Sequence, residues 1–546
     1  MIHFRNILIL FILSCFFFML GNNILGLTND NEVFYAQSAK EMIQQKTWIT
    51  PYIFGQPQFE KPVFIYWLLR IGFLIFGVSN FGARFFPALF AAIGVITVYF
   101  LGILGFRDEK KAFLSGLILM SCGMYVGLAK TVFTDMIFST LMLLALTFFF
   151  WGYVKQSKKL AGILLFSLFS GLAVLTKGPL GIIIPVLAAG VFLLCKKDVK
   201  FLFCKDTIWG ILLFLIAAAP WYILMIAKHG DSFIQEFFYN VNARRIVQAH
   251  HASNDTWYFY LVTILGGMFP WSLFVAGTLF FLPRYTKKKD NPFHLFLICW
   301  AAVIFFIFQL PRSKVANYIF PIFPVLALMA GNFIYDMITS NKPKHLMFIF
   351  ASATLAAIAL IPIGFAVSFK IYSSYILHKF PVYFLITGFL MLGILMLSFI
   401  IRRNFEKMIY SLAAVLPIFL LSLPFSYENF ESYVSSREAC EYLLKNYNVN
   451  NTILCSKFIV RGVKYYTDKD VAIIDIPGRP FFSPHPVTTF NSEEKVKDFL
   501  TKQVITYCIL KKSSLGDMEH IMSKEFKMTI LKQIGNEYIV KIERIF

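Results

Sequence analysis

The sequence predicts an all-α polytopic membrane protein with about 13 transmembrane helices and a small C-terminal α/β domain. Hydrophobic residues make up 58% of the 546 residues, and charged residues make up only 15%. Soluble domains use about 25% charged residues. The mean hydropathy is +0.67. A chain of this composition is expected to have lipid as the solvent for most of its surface.

The distribution of charge predicts the orientation of the chain. The formal net charge of +21 would suggest a nucleic-acid partner in a soluble protein. Here the basic residues concentrate in every second loop between apolar runs, so no nucleic-acid partner is expected. Loops of this kind face the cytoplasm. The basic loops contain Arg107/Lys110/Lys111, Lys155/Lys158/Lys159, Lys196/Lys197/Lys200/Lys205, Arg284/Lys287/Lys288/Lys289, Lys342/Lys344 and Arg402/Arg403/Lys407.

The apolar runs fill residues 1–425, the predicted transmembrane domain. The first run, Ile7 to about Leu25, is long and lacks a small-residue cleavage site, so it predicts a retained spanning helix. An odd number of spans then places the C-terminal part outside. The other runs, each near the ~20 residues of a spanning helix, lie at about 70–105, 113–130, 136–154, 160–176, 179–195, 207–227, 257–283, 292–310, 318–336, 347–368, 381–401 and 408–425.

Residues 426–546 have a soluble-like composition and predict a periplasmic α/β domain with one core. Alternating or β-branched segments predict strands at Thr452–Val460, Asp470–Ile476 and Gln503–Leu510, and a charged segment predicts a helix at Glu493–Lys502. No residue pattern in this domain points to catalysis. Its three cysteines, Cys440, Cys455 and Cys508, cannot all pair, and a disulfide between two of them stays open.

The loop at 27–67 carries the residues that point to chemistry. It lies between two apolar runs and holds Asp30, Glu32, Glu60 and Lys61 among aromatic side chains. Carboxylates and a cation on one short loop can handle a proton and an anionic group together. Amphipathic aromatic rings favour the headgroup level of a bilayer. The loop therefore predicts an enzyme that works where lipid meets water.

The same residues also have purely structural interpretations. Asp30 and Glu32 open a predicted amphipathic helix that ends near Gln45 and is suited to the membrane interface. Asn29 followed by Glu32 fits a capping box, in which both side chains only satisfy backbone groups. Lys61 could reach from the membrane edge towards water with Glu60 as its surface partner.

Other loops on the same predicted face add polar groups. Asp135 and Lys177 lie at the edges of apolar runs, where ionisable groups are costly and usually face a cavity. Lys314 offers a further donor for an anionic headgroup. In the loop before the run at 257–283, His250 and His251 could ligate a divalent metal with a carboxylate, although adjacent histidines in an aqueous loop are usually solvated.

Several of these segments together resemble one family. The resemblance is to the bacterial lipid A aminoarabinose transferases and their relatives among the protein mannosyltransferases, which are multi-spanning GT-C glycosyltransferases. Order and topology match over roughly residues 7–425. The matching motifs are Asp30-x-Glu32-x-x-Tyr35-Ala36, Phe59-Glu60-Lys61-Pro62, Thr134-Asp135, Thr176-Lys177-Gly178-Pro179 and Ser313-Lys314-x-x-Asn317-Tyr318-Ile319-x-Pro321.

The resemblance implies a GT-C fold and a sugar transfer at the periplasmic side of the bacterial inner membrane. The donor would be a sugar, including the case of an amino sugar, on polyprenyl (undecaprenyl) phosphate. The acceptor would be lipid A or a related envelope molecule, and membrane lipid would surround both. The implied roles are catalysis for Asp30 and Glu32, donor-phosphate binding for Lys61, Arg245 and Lys177, cavity lining for Tyr35, Asp135, Lys314 and Tyr318, and binding of a divalent ion, zinc or magnesium, for Glu60 and His251.

The sequence departs from the family pattern at three positions. Asn31 and Phe34 stand where the lipid A transferases commonly have an Asp and an Arg, and Asn242 aligns with a metal-ligand His. Two other functions stay open. One is a transferase that glycosylates a hydroxyl of a protein or glycan, and the other is a lipid-sugar transporter or flippase. Transporters often carry internal repeats, which this sequence lacks.

Overall fold

The computed structural model describes residues 2–29, 31–243, 254–281, 291–339, 345–372, 376–476, 487–522 and 525–545. Within these ranges, nine helices are long and apolar enough to cross a membrane, or ten if one bent pair is counted as a span. Three further apolar helices are shorter. The prediction of a polytopic helical membrane protein is confirmed, whereas the predicted count of about 13 spans is not.

The first ten helices run from the amino terminus to the middle of the chain. They are α1 (Ile2–Met19), α2 (Glu32–Gln44), α3 (Phe64–Phe76), α4 (Asn80–Phe106), α5 (Glu109–Ser121), α6 (Gly123–Ala129), α7 (Thr134–Val154), α8 (Lys159–Lys177), α9 (Leu180–Lys196) and α10 (Lys205–Phe233). The later helices of the transmembrane part are Phe259–Gly267, Ser272–Phe280, Pro292–Gln309, Phe323–Thr339, His345–Tyr372, Phe380–Ile401, Phe405–Leu412 and Val415–Val434.

The apolar run at 70–105, predicted as one span, consists of two helices. Gly77 adopts a φ of 72°, which is favourable only for glycine, and it ends α3. The hydroxyl of Ser79 then accepts a hydrogen bond from the backbone N–H of Gly82 at 3.1 Å and caps α4. A hydropathy pattern cannot show this break, because the residues on both sides of it are equally apolar.

The second half of the loop at 27–67 is a short hairpin. Strands β1 (Tyr52–Ile53) and β2 (Gln56–Pro57) pair antiparallel. The backbone N–H groups of Phe54 and Gly55 at the turn each donate to the carboxylate of Glu41 at 2.9 Å. The hairpin is therefore fixed to α2.

Helix α2 forms where the amphipathic pattern predicts it, but both of its faces are covered. Every residue from Glu32 to Met42 is buried. The prediction of a helix lying in the membrane interface is wrong in this respect, because a second layer of protein covers the polar face.

That second layer is the C-terminal domain, whose described residues contain six strands and four α-helices. The strands are β3 (Ile453–Ser456), β4 (Val471–Ile474), β5 (Thr489–Phe490), β6 (Ile505–Lys511), β7 (Phe526–Ile534) and β8 (Glu537–Arg544), and the helices are Arg437–Asn446, Val460–Thr467, Glu493–Thr501 and Lys512–Ile521. The strands form one sheet in the order β5-β4-β3-β6-β8-β7, in which β3 to β6 are parallel and β8 and β7 are antiparallel to their neighbours. The predicted α/β domain is confirmed, although the strand predicted at Thr452–Val460 ends at Ser456 and a helix begins at Val460.

The domain joins the membrane part through a continuous helix. Helix Val415–Val434 crosses the predicted boundary at residue 425, so the sheet-bearing part starts only at Arg437. Cys440, Cys455 and Cys508 are buried and free.

The C-terminal domain docks directly on the beginning of the loop at 27–67. The backbone N–H of Asn29 donates to the carbonyl of Val434 at 3.1 Å, and its side-chain oxygen accepts from the N–H of Ser436 at 3.0 Å. Lys40 of α2 donates to the carbonyl of Tyr465 at 2.9 Å. The loop and the C-terminal domain therefore share one face of the bundle, as the sequence predicts.

This docking is close enough that one glycine is required. A Cβ on Gly462 would lie 2.0 Å from the side-chain oxygen of Asn29. We expect Gly462→Ala to loosen the domain from the loop, measured as faster proteolysis or hydrogen exchange at residues 22–44 of the full chain. Gly516→Ala is the matched control, because nothing lies within 4 Å of the added methyl group. Equal behaviour of the two variants would contradict the close docking.

Candidate active site at the membrane surface

Glu32 and Arg84 form a buried ion pair beneath the loop. The Nε of Arg84 donates to Oε1 of Glu32 at 2.8 Å, and its Nη2 donates to Oε2 at 2.6 Å. The Glu32 side chain is 0% exposed and the Arg84 side chain is 6% exposed. Glu32 also accepts from the backbone N–H groups of Thr28 and Val132, each at 3.0 Å. One carboxylate thus joins the loop, α4 and the segment that precedes α7.

The remaining donors of Arg84 bind the chain that leaves α1. Its Nη1 donates to the carbonyls of Asn22 and Leu25 at 3.1 and 2.7 Å, and its Nη2 donates to that of Gly26 at 2.9 Å. All five N–H donors of the guanidinium are used. Carbonyls that follow a helix end in an apolar setting need such partners, because water cannot supply them.

Lys130 completes this arrangement from the end of α6. Its ammonium donates to the carbonyls of Phe18 and Leu20 and to the side-chain oxygen of Asn22. These contacts favour the anchoring role of Lys130 that an ionisable residue at a span edge often has.

Glu32 therefore has a structural task. Thr28 and Glu32 bind each other's backbone N–H groups, since the Thr28 hydroxyl accepts from the Glu32 N–H at 3.5 Å in return. The capping box expected for Asn29 and Glu32 is not formed, because Asn31 precedes the first helical residue and Glu32 begins the helix. Asn29 binds the C-terminal domain instead. With four donors on its two oxygens, Glu32 positions the loop.

A second group of side chains gathers around the phenol of Tyr66, in the first turn of α3. The rings of Tyr35 and Tyr66 lie 6.1 Å apart, and the amide of Gln58 donates to the Tyr66 hydroxyl at 2.5 Å. Burial raises the pKa of Tyr66 well above its ordinary value, with smaller contributions from Tyr35 and Glu60. Tyr66 is thus a neutral phenol that can donate a hydrogen bond, and half-buried Glu60 and Lys61 lie directly before its helix.

A third group of side chains comes from the ends of different helices and contains Asp135, Lys177 and Tyr318. The ammonium of Lys177 lies 2.6 Å from the carboxylate of Asp135 and 5.1 Å from the centre of the Tyr318 ring. The structure therefore brings together three residues that the sequence predicted to line one cavity. Lys314, four residues before Tyr318, pairs with Asp255. Asp135 lies three residues after Val132, whose N–H binds Glu32, so this group lies on the same face as the loop.

Three predicted site residues, Asp30, Arg245 and His251, lie outside the described residues. Among the residues that are described, no group of three or more His, Cys, Asp or Glu side chains could hold a metal ion. Glu60 alone is not a ligand set, so the expected divalent ion stays a prediction and no chemical step is assigned to it.

Two cations at the site were missed by the sequence reasoning. Arg84 lies within an apolar run, and an ionisable residue inside a predicted span is itself a sign of function or anchoring. Arg461 belongs to the C-terminal domain, and its guanidinium carbon lies 4.7 Å from the centre of the Phe34 ring. No local sequence signal could have placed Arg461 there, because domain docking creates the contact.

Comparisons with known proteins agree with this architecture. Residues 60–224 match the family described as dolichyl-phosphate-mannose-protein mannosyltransferase. An uncharacterized protein of Aquifex aeolicus is 31% identical over 334 residues, which cover 60% of this chain and 73% of that protein. An undecaprenyl phosphate-alpha-4-amino-4-deoxy-L-arabinose arabinosyl transferase of Pseudomonas fluorescens is 30% identical over 336 residues, which cover 60% of this chain. The alignment spans only 56% of that transferase's length.

Among solved structures, ArnT from Cupriavidus metallidurans has the same fold. The structure bound to undecaprenyl phosphate superposes with a TM-score of 0.75, and the apo structure with 0.77. Each superposition covers 98% of this chain and 97% of ArnT at 19% sequence identity.

The fold and the site define a multi-pass membrane protein of the GT-C architecture, with a soluble domain docked over its loop at 27–67. The chain is similar to the undecaprenyl phosphate-alpha-4-amino-4-deoxy-L-arabinose arabinosyl transferases, and over residues 60–224 it matches the dolichyl-phosphate-mannose-protein mannosyltransferase family.

The Glu32–Arg84 pair predicts a large stability difference between two charge removals. Arg84→Met leaves a buried carboxylate without its counter-charge, so we expect a loss of about 3–5 kcal/mol in unfolding free energy, measured by denaturant titration in detergent. Lys111→Met is the control, because the Lys111–Asp336 pair is partly exposed and should cost about 1 kcal/mol or less. Similar losses in both variants would show that the Glu32–Arg84 pair is not a major constraint.

Proposed function

We propose that this protein moves a sugar from undecaprenyl phosphate, or a similar polyprenyl phosphate, to lipid A or a related envelope acceptor. The observation that carries the proposal is the convergence of motif residues at one end of the bundle. Glu60 and Lys61 precede Tyr66 in the docked loop, and Lys177, Asp135 and Tyr318 gather on adjacent spans. The names of the arabinosyl transferase relatives support the donor.

The reaction is a displacement at the anomeric carbon of the sugar. The bond from that carbon to the phosphate oxygen breaks, its electron pair leaves with the polyprenyl phosphate, and an acceptor oxygen forms the new bond. Negative charge grows on the departing phosphate, so cations placed there lower the barrier. Lys61 is the first candidate for this role, and Lys177 and Arg245 are the other candidates.

The role of Asp30 depends on the acceptor. A hydroxyl acceptor loses a proton as it attacks, and Asp30 would take that proton as general base. A phosphate of lipid A is already anionic and needs orientation rather than deprotonation. Tyr35 and Tyr66 would bind the sugar or its phosphate through their faces and hydroxyl groups.

The site and the C-terminal domain are placed on the periplasmic side of the bacterial inner membrane in this proposal. The support is the series of basic loops, which favours the cytoplasm for the opposite face. It also agrees with the docking of the domain on the loop at 27–67.

A transferase acting on a protein or glycan hydroxyl is the second candidate function. The match of residues 60–224 to the protein mannosyltransferase family favours it. The two functions share the donor chemistry and differ only in the acceptor.

Two loop variants test the donor chemistry. We expect Asp30→Asn and Lys61→Gln each to lower sugar transfer from a polyprenyl-phosphate donor by about a hundredfold or more, because removing one group that stabilises developing charge has an effect of this order. Release of sugar from the donor by purified full-length protein is the readout. Lys46→Gln removes an exposed cation from the same loop and should leave transfer unchanged. Full activity in both test variants would refute the assignment, and an intact donor bond in the wild type would indicate a transporter.

Mass spectrometry of lipid A separates the two acceptor classes. Cells that contain the wild-type protein should show lipid A with an added sugar mass, and cells with Lys61→Gln should not. Identical spectra, together with sugar on a protein or glycan, would favour the second candidate function.

A further inference from the structure

A short helix of the C-terminal domain, Val460–Thr467, lies against α2 and the start of the loop. The hydroxyl of Tyr466 accepts from the backbone N–H of Leu27 at 2.7 Å and donates to the side chain of Asn80 at 3.3 Å. Lys40 contacts both the carbonyl of Tyr465 and the carboxylate of Asp468. These bonds hold the C-terminal end of the helix against the membrane part.

Arg461 is the cation that this helix directs towards α2. The residue is only 8% exposed, and its guanidinium carbon lies 4.7 Å from the centre of the Phe34 ring. An aromatic face holds a guanidinium by its flat side, and this leaves the orientation of its N–H edge fixed. Phe34 therefore acts as a platform that sets the position of the charge.

The position of this charge is within the group around Tyr66. The centre of the Phe34 ring lies 5.2 Å from that of Tyr35, and the centre of the Tyr35 ring lies 6.1 Å from that of Tyr66. Arg461 is thus close to the loop residues that precede α3, although it belongs to a different domain. A planar guanidinium is well suited to bind two oxygens of a phosphate at once.

We infer that Arg461 binds a phosphate of the substrates and that the C-terminal domain thereby completes the active site. The inference rests on the proposed function, which places a phosphate in this part of the molecule. The phosphate has two possible sources, the polyprenyl carrier of the donor and a phosphate group of the acceptor. In either case the domain is part of the binding site and not an appendage.

Steady-state kinetics of full-length variants test this role. Arg461→Ala should raise the KM for one substrate about ten- to hundredfold, since a hydrogen bond to a charged group contributes on this scale. Arg461→Lys should recover part of the loss. Lys464→Ala removes the same charge from the same helix, where Lys464 faces Asp470 of its own domain, and should leave both KM values unchanged.

A double variant that exchanges two residues distinguishes a phosphate contact from a structural role of Arg461. Phe34→Arg combined with Arg461→Phe moves the guanidinium from one domain to the other while the ring and the charge stay in contact. Restored KM supports a phosphate contact, because a merely structural arginine would not be replaced in this way. A rise in donor KM assigns the carrier phosphate, and a rise in acceptor KM assigns the acceptor. Unchanged KM values in Arg461→Ala, or equal effects in Lys464→Ala, would overturn the inference.

Equilibrium binding separates this inference from the proposed function. If the wild type transfers no sugar, the proposed function fails, and binding of undecaprenyl phosphate and of lipid A in detergent still tests Arg461. At least tenfold weaker binding of either lipid to Arg461→Ala, with recovery in the exchange variant, supports the phosphate contact. Equal binding of both lipids to wild type and Arg461→Ala contradicts it.

Discussion

The buried pair of Glu32 and Arg84 is the interaction on which the rest of the site depends. A guanidinium inside an apolar bundle is tolerated only when its charge and all its donors are matched. Glu32 supplies the charge, and three carbonyls after α1 supply the remaining acceptors. The first residues of the loop therefore have one low-energy path across the top of α4.

This constraint extends to the group around Tyr66 and to the group of Lys177, Asp135 and Tyr318. Through the N–H of Val132, Glu32 fixes the approach to α7, where Asp135 meets Lys177. Through Thr28 it fixes the start of α2, which presents Tyr35 and Phe34. Asp30 lies between these anchored points in sequence. A rigid support of this kind is what a reaction driven by placed charges requires, since a cation helps only if it already stands where charge develops.

The C-terminal domain is held by the same segment. Asn29, next to the proposed general base, is bound by the backbone of Val434 and Ser436, and Gly462 approaches it too closely for any side chain. Loss of the domain would therefore disturb the loop as well as remove Arg461. In the arrangement that we infer, the membrane bundle and the C-terminal domain each contribute side chains to the site.

The sequence predicts those parts of the structure that depend on local patterns. Apolar runs indicated a polytopic helical bundle, although not its number of spans, and β-branched segments located the strands at Ile453–Ser456 and Val471–Ile474. Their positions at span edges singled out Lys177 and Asp135, which the structure shows to be an ion pair. The hydropathy pattern could not reveal the break between α3 and α4, because the break depends on the backbone conformation of Gly77.

Local sequence patterns also could not predict contacts between segments that are distant in the sequence. Glu32 and Arg84 are 52 residues apart, and Arg461 reaches Phe34 from another domain. For the same reason α2 resembled an interface helix, since nothing in its own sequence shows that a domain covers it. Asp30, Arg245 and His251, which the family resemblance singled out, stay predictions.

The central claim is that the substrate phosphate binds between the loop at 27–67 and the C-terminal domain. An electron cryomicroscopy structure of the full-length protein with undecaprenyl phosphate tests it most directly. The account predicts phosphate density within hydrogen-bonding distance of Lys61, on the side of α2 where Arg461 lies. Phosphate density at the opposite face, beside basic residues such as Lys155 and Lys159, would contradict it.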